Sequence, residues 1–253
     1  MSDSRSKLIA GNWKMNCSRS EAIQLASHVV ANFDHIDNAK LLICVPTIHL
    51  ADISKLVANS KVMLGVQDAH WQDKGAYTGE ISMSMLADYQ VSHVLVGHSE
   101  RRQMFADDDN NVALKFEAAL KNDLTPILCI GETLEQREKG ITLDIIQAQC
   151  EAVVKRVGIE AFSKACVAYE PIWAIGTGQT ATPDQAQQVH QALRAWFAQQ
   201  NEQIAANLQI LYGGSMNAGN ANELLAQSDI DGGLIGGASL KADDFLEIYS
   251  AAG

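Results

Sequence analysis

Several short segments join a hydrogen-bonding or ionisable side chain to an apolar run and to glycine. Cys166-Val167-Ala168 leads into Tyr169-Glu170-Pro171-Ile172-Trp173. A carboxylate closing an apolar run is costly unless it is paired or used, so Glu170 is a candidate proton acceptor and equally, taken alone, a paired structural acid. Ala174-Ile175-Gly176-Thr177-Gly178 comes next, a span of mostly small residues, and a proline-bounded glycine loop beside a carboxylate suits a lid over a base. In Gly97-His98-Ser99-Glu100-Arg101-Arg102 a histidine precedes a helix start at Ser99. Free N–H groups and the positive dipole end disfavour an imidazolium there. A neutral His98 can donate a hydrogen bond to a carbonyl oxygen. Gly11-Asn12-Trp13-Lys14-Met15-Asn16 offers an amide and an ammonium two residues apart at a strand end, which strand alternation sends to one side with Trp13 opposite. Tyr212-Gly213-Gly214-Ser215 and Gly236-Gly237-Ala238-Ser239 allow close backbone approach and offer N–H groups to an anion.

These segments need elements to hold them. Apolar runs at Lys7–Trp13, Lys40–Val45, Lys61–Val66, Ser92–Gly97, Thr125–Ile130, Lys164–Glu170, Leu208–Tyr212 and Gly232–Gly236 are continuous rather than alternating, as parallel strands covered on both faces require. Helical segments lie between them. Ser18-Arg19-Ser20-Glu21 is a capping box ahead of Ala22, Ile23, Ala26, Val29, Val30 and Phe33; Thr182-Pro183-Asp184-Gln185 is a second start signal. Eight such units in 253 residues predict an α/β fold closed into a single (β/α)8 barrel, one domain over residues 1–253. The first strand lacks the G-x-G-x-x-G turn of a doubly wound dinucleotide fold. In a barrel, chemistry gathers at the C-terminal strand ends and phosphate at the last two loops, where all five segments fall.

Composition narrows the partners. A net charge of −11 repels nucleic acid and anionic membranes, so an anionic substrate must be held by local donors and helix starts. No stretch reaches the roughly 20 apolar residues that span a bilayer, and the polar Met1–Lys7 segment has no secretory core. A soluble, cytoplasmic protein is expected. Five widely spaced cysteines without a C-x-x-C pair read as reduced thiols; Cys44, Cys129 and Cys166 sit in strand runs, where a free thiol packs as a small hydrophobe.

Along nearly the whole chain, the five strand-end segments resemble the signature segments of the triosephosphate isomerase family, in the family's order. The resemblance implies a TIM barrel that interconverts dihydroxyacetone phosphate and D-glyceraldehyde 3-phosphate in glycolysis and gluconeogenesis, without cofactor or metal. It implies Glu170 as base, His98 as electrophile, Asn12 and Lys14 as substrate contacts and Glu100 as a buried partner of Lys14. Phosphate would bind Gly176, Ser215, Gly236 and Gly237. The lid would comprise Pro171, Ile172, Trp173, Ala174, Ile175, Gly176, Thr177, Gly178, Gln179, Thr180 and Ala181, with closure contacts from Tyr212 and Ser215. The family is usually a homodimer in which a third loop docks on the partner; Gln67 to Glu80 looks like that loop, with Thr78 its tip between Tyr77 and Gly79-Glu80. Gln179, Ile172, Asp68 and Met216 depart from the residues common there, which touches lid and interface rather than the reacting atoms.

Three other readings belong beside this one. A Schiff-base aldolase would use Lys14 or Lys164 as nucleophile. A catalytically dead scaffold predicts loss of Glu170, His98 or Lys14, all of which are present. A metal-dependent barrel would want histidines at ligand spacing, and His28, His35, His49, His70, His93 and His190 are scattered.

Overall fold

The computed structural model describes residues 5–175 and 180–253. Eight parallel strands lie along the apolar runs: β1 Lys7–Asn12, β2 Ala39–Val45, β3 Met63–Val66, β4 His93–Val96, β5 Thr125–Ile130, β6 Cys166–Tyr169, β7 Gln209–Tyr212 and β8 Gly232–Ile235. They pair in chain order, and β8 closes on β1 through Leu8↔Gly232 to Gly11↔Ile235. The expected (β/α)8 barrel is present. Helices α1 Arg19–Ala31, α2 Leu50–Val57, α3 Ser99–Met104, α4 Asp109–Lys121, α5 Leu134–Glu138, α6 Thr142–Val157, α7 Pro183–Gln200, α8 Glu202–Asn207, α9 Ala221–Leu225 and α10 Ala242–Ser250 surround it. Both expected start signals operate: Ser18 and Thr182 each accept the third helical N–H, and Glu21 and Gln185 answer back to the cap. The third connection departs from the pattern. It carries a long loop and a 3₁₀ turn, Ser84–Tyr89, in place of an α-helix.

Period-two geometry divides each strand between two cores. Odd positions of β1 and their counterparts pack outward against the helices. Leu8, Ala10, Leu42, Cys44, Leu95, Ile127, Cys129, Cys166, Ala168, Leu211 and Leu234 fill the interior. The three strand cysteines are all buried in that interior, as expected of small hydrophobes. Extending the inward step past the apolar filling leads to Asn12, Glu170, Gly213 and Gly236 at one mouth. In the other direction it leads to Lys40, His93, Thr125 and Gln209. Six strands are shorter than their apolar runs, two of them with consequences for the site. Trp13 leaves β1 to be buried in the outer core, and Lys164 ends a 3₁₀ turn, Ile159–Lys164, ahead of β6. No helix among the described residues is long and apolar enough to cross a membrane.

Candidate active site

At the C-terminal mouth the strand ends surround a cavity of about 370 Å³ lined by Asn12, Lys14, His98, Glu170, Ser215 and the Gly236-Gly237 backbone. Glu170 is 2% exposed. Its Oε2 accepts the Ser99 N–H at 2.9 Å, and its Oε1 lies 2.9 Å from His98 Nε2. Two glycines make this possible. Gly97 turns at φ +74, and a Cβ there would also stand 2.7 Å from Val112; a Cβ on Gly213 would stand 2.8 Å from Glu170 Cγ.

His98 caps α3, as expected of a histidine ahead of a helix start: its Nδ1 accepts the Glu100 N–H at 3.2 Å. That bond occupies the Nδ1 lone pair, so the ring's proton resides on Nε2 and points to Glu170. Burial opposes charge on both partners. For Glu170 the His98 contact, the Ser99 N–H and Lys14 outweigh burial and hold the carboxyl below its ordinary range. For His98, burial lowers and the Glu170 carboxylate raises the ring's proton affinity, the carboxylate prevailing. The filled Nδ1 denies a second proton its place, and the ring is neutral.

Lys14 reaches the mouth by a different route from strand alternation. Its backbone is left-handed, at φ +53, beyond the end of β1. Asn12 Oδ1 accepts the Lys14 N–H at 3.0 Å, and the Gln67 amide donates to Lys14 O at 2.9 Å. A lysine in this conformation is disfavoured and persists only where its surroundings hold it. Gln67, expected in the docking loop, thus serves its own chain's site. Lys14 Nζ meets Glu100 Oε1 at 2.5 Å, but Glu100 is 39% exposed rather than buried, because α3 presents it at the rim.

The two described flanks of the expected lid are anchored. Ile172–Ala174 forms a 3₁₀ turn, Trp173 Nε1 donates to Glu132 Oε1 at 3.0 Å, and Ser215 Oγ donates to Ala174 O at 2.7 Å. Tyr212 stands against the Ala181 backbone N–H, and burial pushes its hydroxyl up to about 12 against that contact. Gly176, Thr177, Gly178 and Gln179 lie outside the described residues. Sequence reasoning missed Glu132. Fully buried, it also accepts the Tyr169 hydroxyl at 3.0 Å, and Arg137 lies 3.5 Å away with its guanidinium over the Trp173 ring. The signal was available: Gly131-Glu132-Thr133 follows β5 with a carboxylate, as Glu170 ends the sixth run. Asp68 is compensated within the chain by Lys115 and Arg101, each at 2.8 Å.

Residues 7–252 match the family model described as triosephosphate isomerase. Curated relatives of that name include the protein of Delftia acidovorans, 50% identical over 98% of this chain and 99% of its own length. Those of Ruthia magnifica and Nitrosococcus oceani are each 49% identical over 98% of this chain, and over 99% and 100% of their own lengths. The chain belongs to the triosephosphate isomerase family. It is an isomerase, and the barrel, the order of its strand-end segments and this similarity agree along the same residues. No Schiff-base role is available to Lys164 in this site, since it lines a cavity at the opposite end of the barrel.

Proposed function

We propose that this chain interconverts dihydroxyacetone phosphate and D-glyceraldehyde 3-phosphate, a step of glycolysis and gluconeogenesis, by moving one proton between adjacent carbons through an enediolate. The observation that carries the reading is a buried carboxylate, Glu170, 2.9 Å from the imidazole Nε2 of His98 in a cavity walled by Ser215 and Gly236-Gly237. Glu170 is the base. His98 Nε2–H and Lys14 donate to the substrate oxygens that gain negative charge, and Asn12 contacts the substrate beside them. Glu100 holds Lys14 in place. The phosphate falls to the Gly176, Ser215, Gly236 and Gly237 backbone.

Glu170 has hydrogen-bond partners on both oxygens, which makes it a weaker base. A bound carbonyl takes the His98 proton donor for itself, and the carboxylate must also leave Ser99 to reach carbon. Stripped of both donors and closed from water, it gains proton affinity when the chemistry needs it. One carboxylate can then serve both carbons of a planar enediolate, first as base and then as acid. A positioned base contributes ~10²–10⁴-fold and an oxyanion donor ~10²–10³-fold. Binding of the non-reacting phosphate supplies a further share by closing the lid, Pro171 to Ala181.

The chain is read as a single TIM-barrel domain over residues 1–253 and as a cytoplasmic homodimer. An opening of about 340 Å³ beside Lys14 and Glu100 is lined by Met15 and Phe105, which are 97% and 61% exposed. Ile48 and Met85 line a neighbouring apolar groove. These surfaces suit the third loop of a second copy, Gln67 to Glu80 with Tyr77, Thr78 and Gly79 leading. A coupled assay in both directions, without added metal or cofactor, tests the activity: absent turnover removes it. A fully active monomer on sedimentation removes the dimer.

A further inference from the structure

Lys14 is held at both ends, and the two holds meet away from the mouth. Its carbonyl accepts the Gln67 amide at 2.9 Å, and its ammonium meets the Glu100 carboxylate at 2.5 Å. Gln67 follows β3 and Glu100 lies on α3, which belong to separate units of the barrel. The residues next to them in the chain are Asp68 and Arg101, and these two touch: Arg101 Nε lies 2.8 Å from Asp68 Oδ2. Lys14, Gln67, Asp68, Arg101 and Glu100 therefore close a circuit of covalent links and polar contacts around a left-handed backbone.

Two further groups lock the circuit. Lys115, on α4 and 3% exposed, donates to both oxygens of Asp68 and both of Asp107, at 2.7–2.9 Å. Arg101 Nε also donates to Asp107 Oδ2 at 2.9 Å. Each cation bridges the same two carboxylates, so no member of the ring shifts without stranding its partners. Taking ionised groups out of water has a cost that close pairing only offsets, and the best-attested use of such a set is to fix registry. Asp68 departs from the asparagine common at its position, and an amide there would leave two cations sharing one carboxylate. His98 and Glu170 do not depend on the ring, since they meet each other and the Ser99 N–H directly.

We propose that Asp68 and Arg101 are positioning residues for the isomerisation and set where the Lys14 ammonium stands, an inference that rests on the role of Lys14 as a substrate contact. Asp68 fixes Gln67 and, through it, the Lys14 backbone. Arg101 fixes the turn of α3 that presents Glu100 to Lys14 Nζ. Neither side chain lines the cavity that holds Glu170. The contact between them joins the two holds into one rigid unit, so the ammonium is placed from both ends at once. Misplacing a catalytic donor by about 1 Å costs up to ~10²-fold.

A double-mutant cycle read by steady-state kinetics tests this. Arg101→Gln and Asp68→Ala are each expected to lower kcat/KM about tenfold. In a Lys14→Arg background, itself impaired, each is expected to lower it less than about twofold, because the placement they secure is already lost. Losses that multiply in that background, or single variants with unchanged kcat/KM, overturn the proposal and leave the ring a purely structural one. Arg101→Gln keeps both carboxylates on Lys115, so it carries the test if Asp68→Ala does not fold. Each rate is repeated at higher protein concentration; a loss that disappears there is subunit dissociation and also overturns the proposal. Amide NMR of ¹⁵N-labelled Arg101→Gln reads the geometry apart from turnover. Shifts at Lys14 and Gln67 are expected even if the isomerase reading itself fails, and unmoved resonances at both overturn the proposal.

Discussion

The two mouths of the barrel are reached by the same inward step along the strands, yet they handle charge in opposite ways. At the C-terminal mouth each ionised group has a neighbour of the other kind: Glu170 with His98 and the Ser99 N–H, Lys14 with Glu100. At the N-terminal mouth Lys40 and Lys164 are exposed to solvent and have no ion-pair partner among the described residues. The difference lies in the backbone that continues beyond each strand. Glycine turns and helix starts at the C-terminal ends aim backbone N–H groups into the cavity, so an acid can be buried there and remain ionised. The strand beginnings bring no comparable set of aimed donors, and side chains alone define the polarity.

The largest separation between the mouths is expected in turnover. Glu170→Asp retracts the carboxylate by one methylene and is expected to lower kcat by ~10²–10⁴-fold, with an unchanged circular dichroism spectrum. Lys40→Met is expected to leave kcat unaltered. Near-normal turnover in folded Glu170→Asp would remove the base assignment, and a matching loss in Lys40→Met would erase the contrast. His98→Gln keeps a donor of similar reach but not its position, and kcat is expected to fall ~10²-fold or more. If KM alone rises, His98 is a binding group only.

Acid sharpens the comparison in a different quantity. His93 at the floor and His190 in the outer core are both held down to about 4, by burial first. The unfolded chain protonates these rings from about 6.5 downward and the folded protein does not, so stability falls as pH drops from 6.5 towards 4. Each ring accounts for about 3 kcal/mol at full extent. Glu170 has the opposite relation to acid. Its depressed carboxyl stabilises the fold above about 4.5 and loses that contribution only as pH falls further, through its folded value. Urea unfolding at pH 7, 5.5 and 4.5 measures the first effect; a flat stability across that range would mean that both histidines titrate normally.

The smallest expected effect concerns the lid. Trp173→Phe removes the indole donor from Glu132 and leaves a buried carboxylate oxygen with fewer partners, a cost of about 1–3 kcal/mol. We expect kcat/KM to fall roughly tenfold and the melting temperature to drop by several degrees. Full activity in this variant would show that the Glu132 contact does not support closure.

Much of the fold and the site was legible in the sequence, for a physical reason. Continuous apolar runs report strands buried on two faces, and the residue ending each run is the one a barrel presents at its mouth, so Asn12, His98, Glu170 and the Gly213 and Gly236 turns could be found without any contact information. Lys14 was found for an incomplete reason. Alternation stops at Asn12, and a left-handed backbone held by Asn12 and Gln67 aims the ammonium. That geometry depends on Gln67, 53 positions away. Glu132 and Arg137 escaped because their partner Trp173 lies on another strand's exit. The exposure of Glu100 depends on how α3 is seated, which no local pattern encodes. The N-terminal floor has no signature of its own, because Lys40, His93, Thr125 and Gln209 stand singly at or next to the start of their apolar runs, with no glycine beside them.

The interior filling has one more consequence. Cys44, Cys129 and Cys166 pack in the barrel interior, Cys166 nearest the N-terminal mouth, and burial raises all three thiols, Cys166 to about 12 and the others further. A thiolate, the form that reacts with alkylating agents, does not develop there while the strands stay zipped. Half-buried Cys17 sits outside this set. Labelling of the three inner sulfurs is therefore a clock for parting of the sheet, one that runs without reference to activity and can time the opening of the barrel in the intact enzyme.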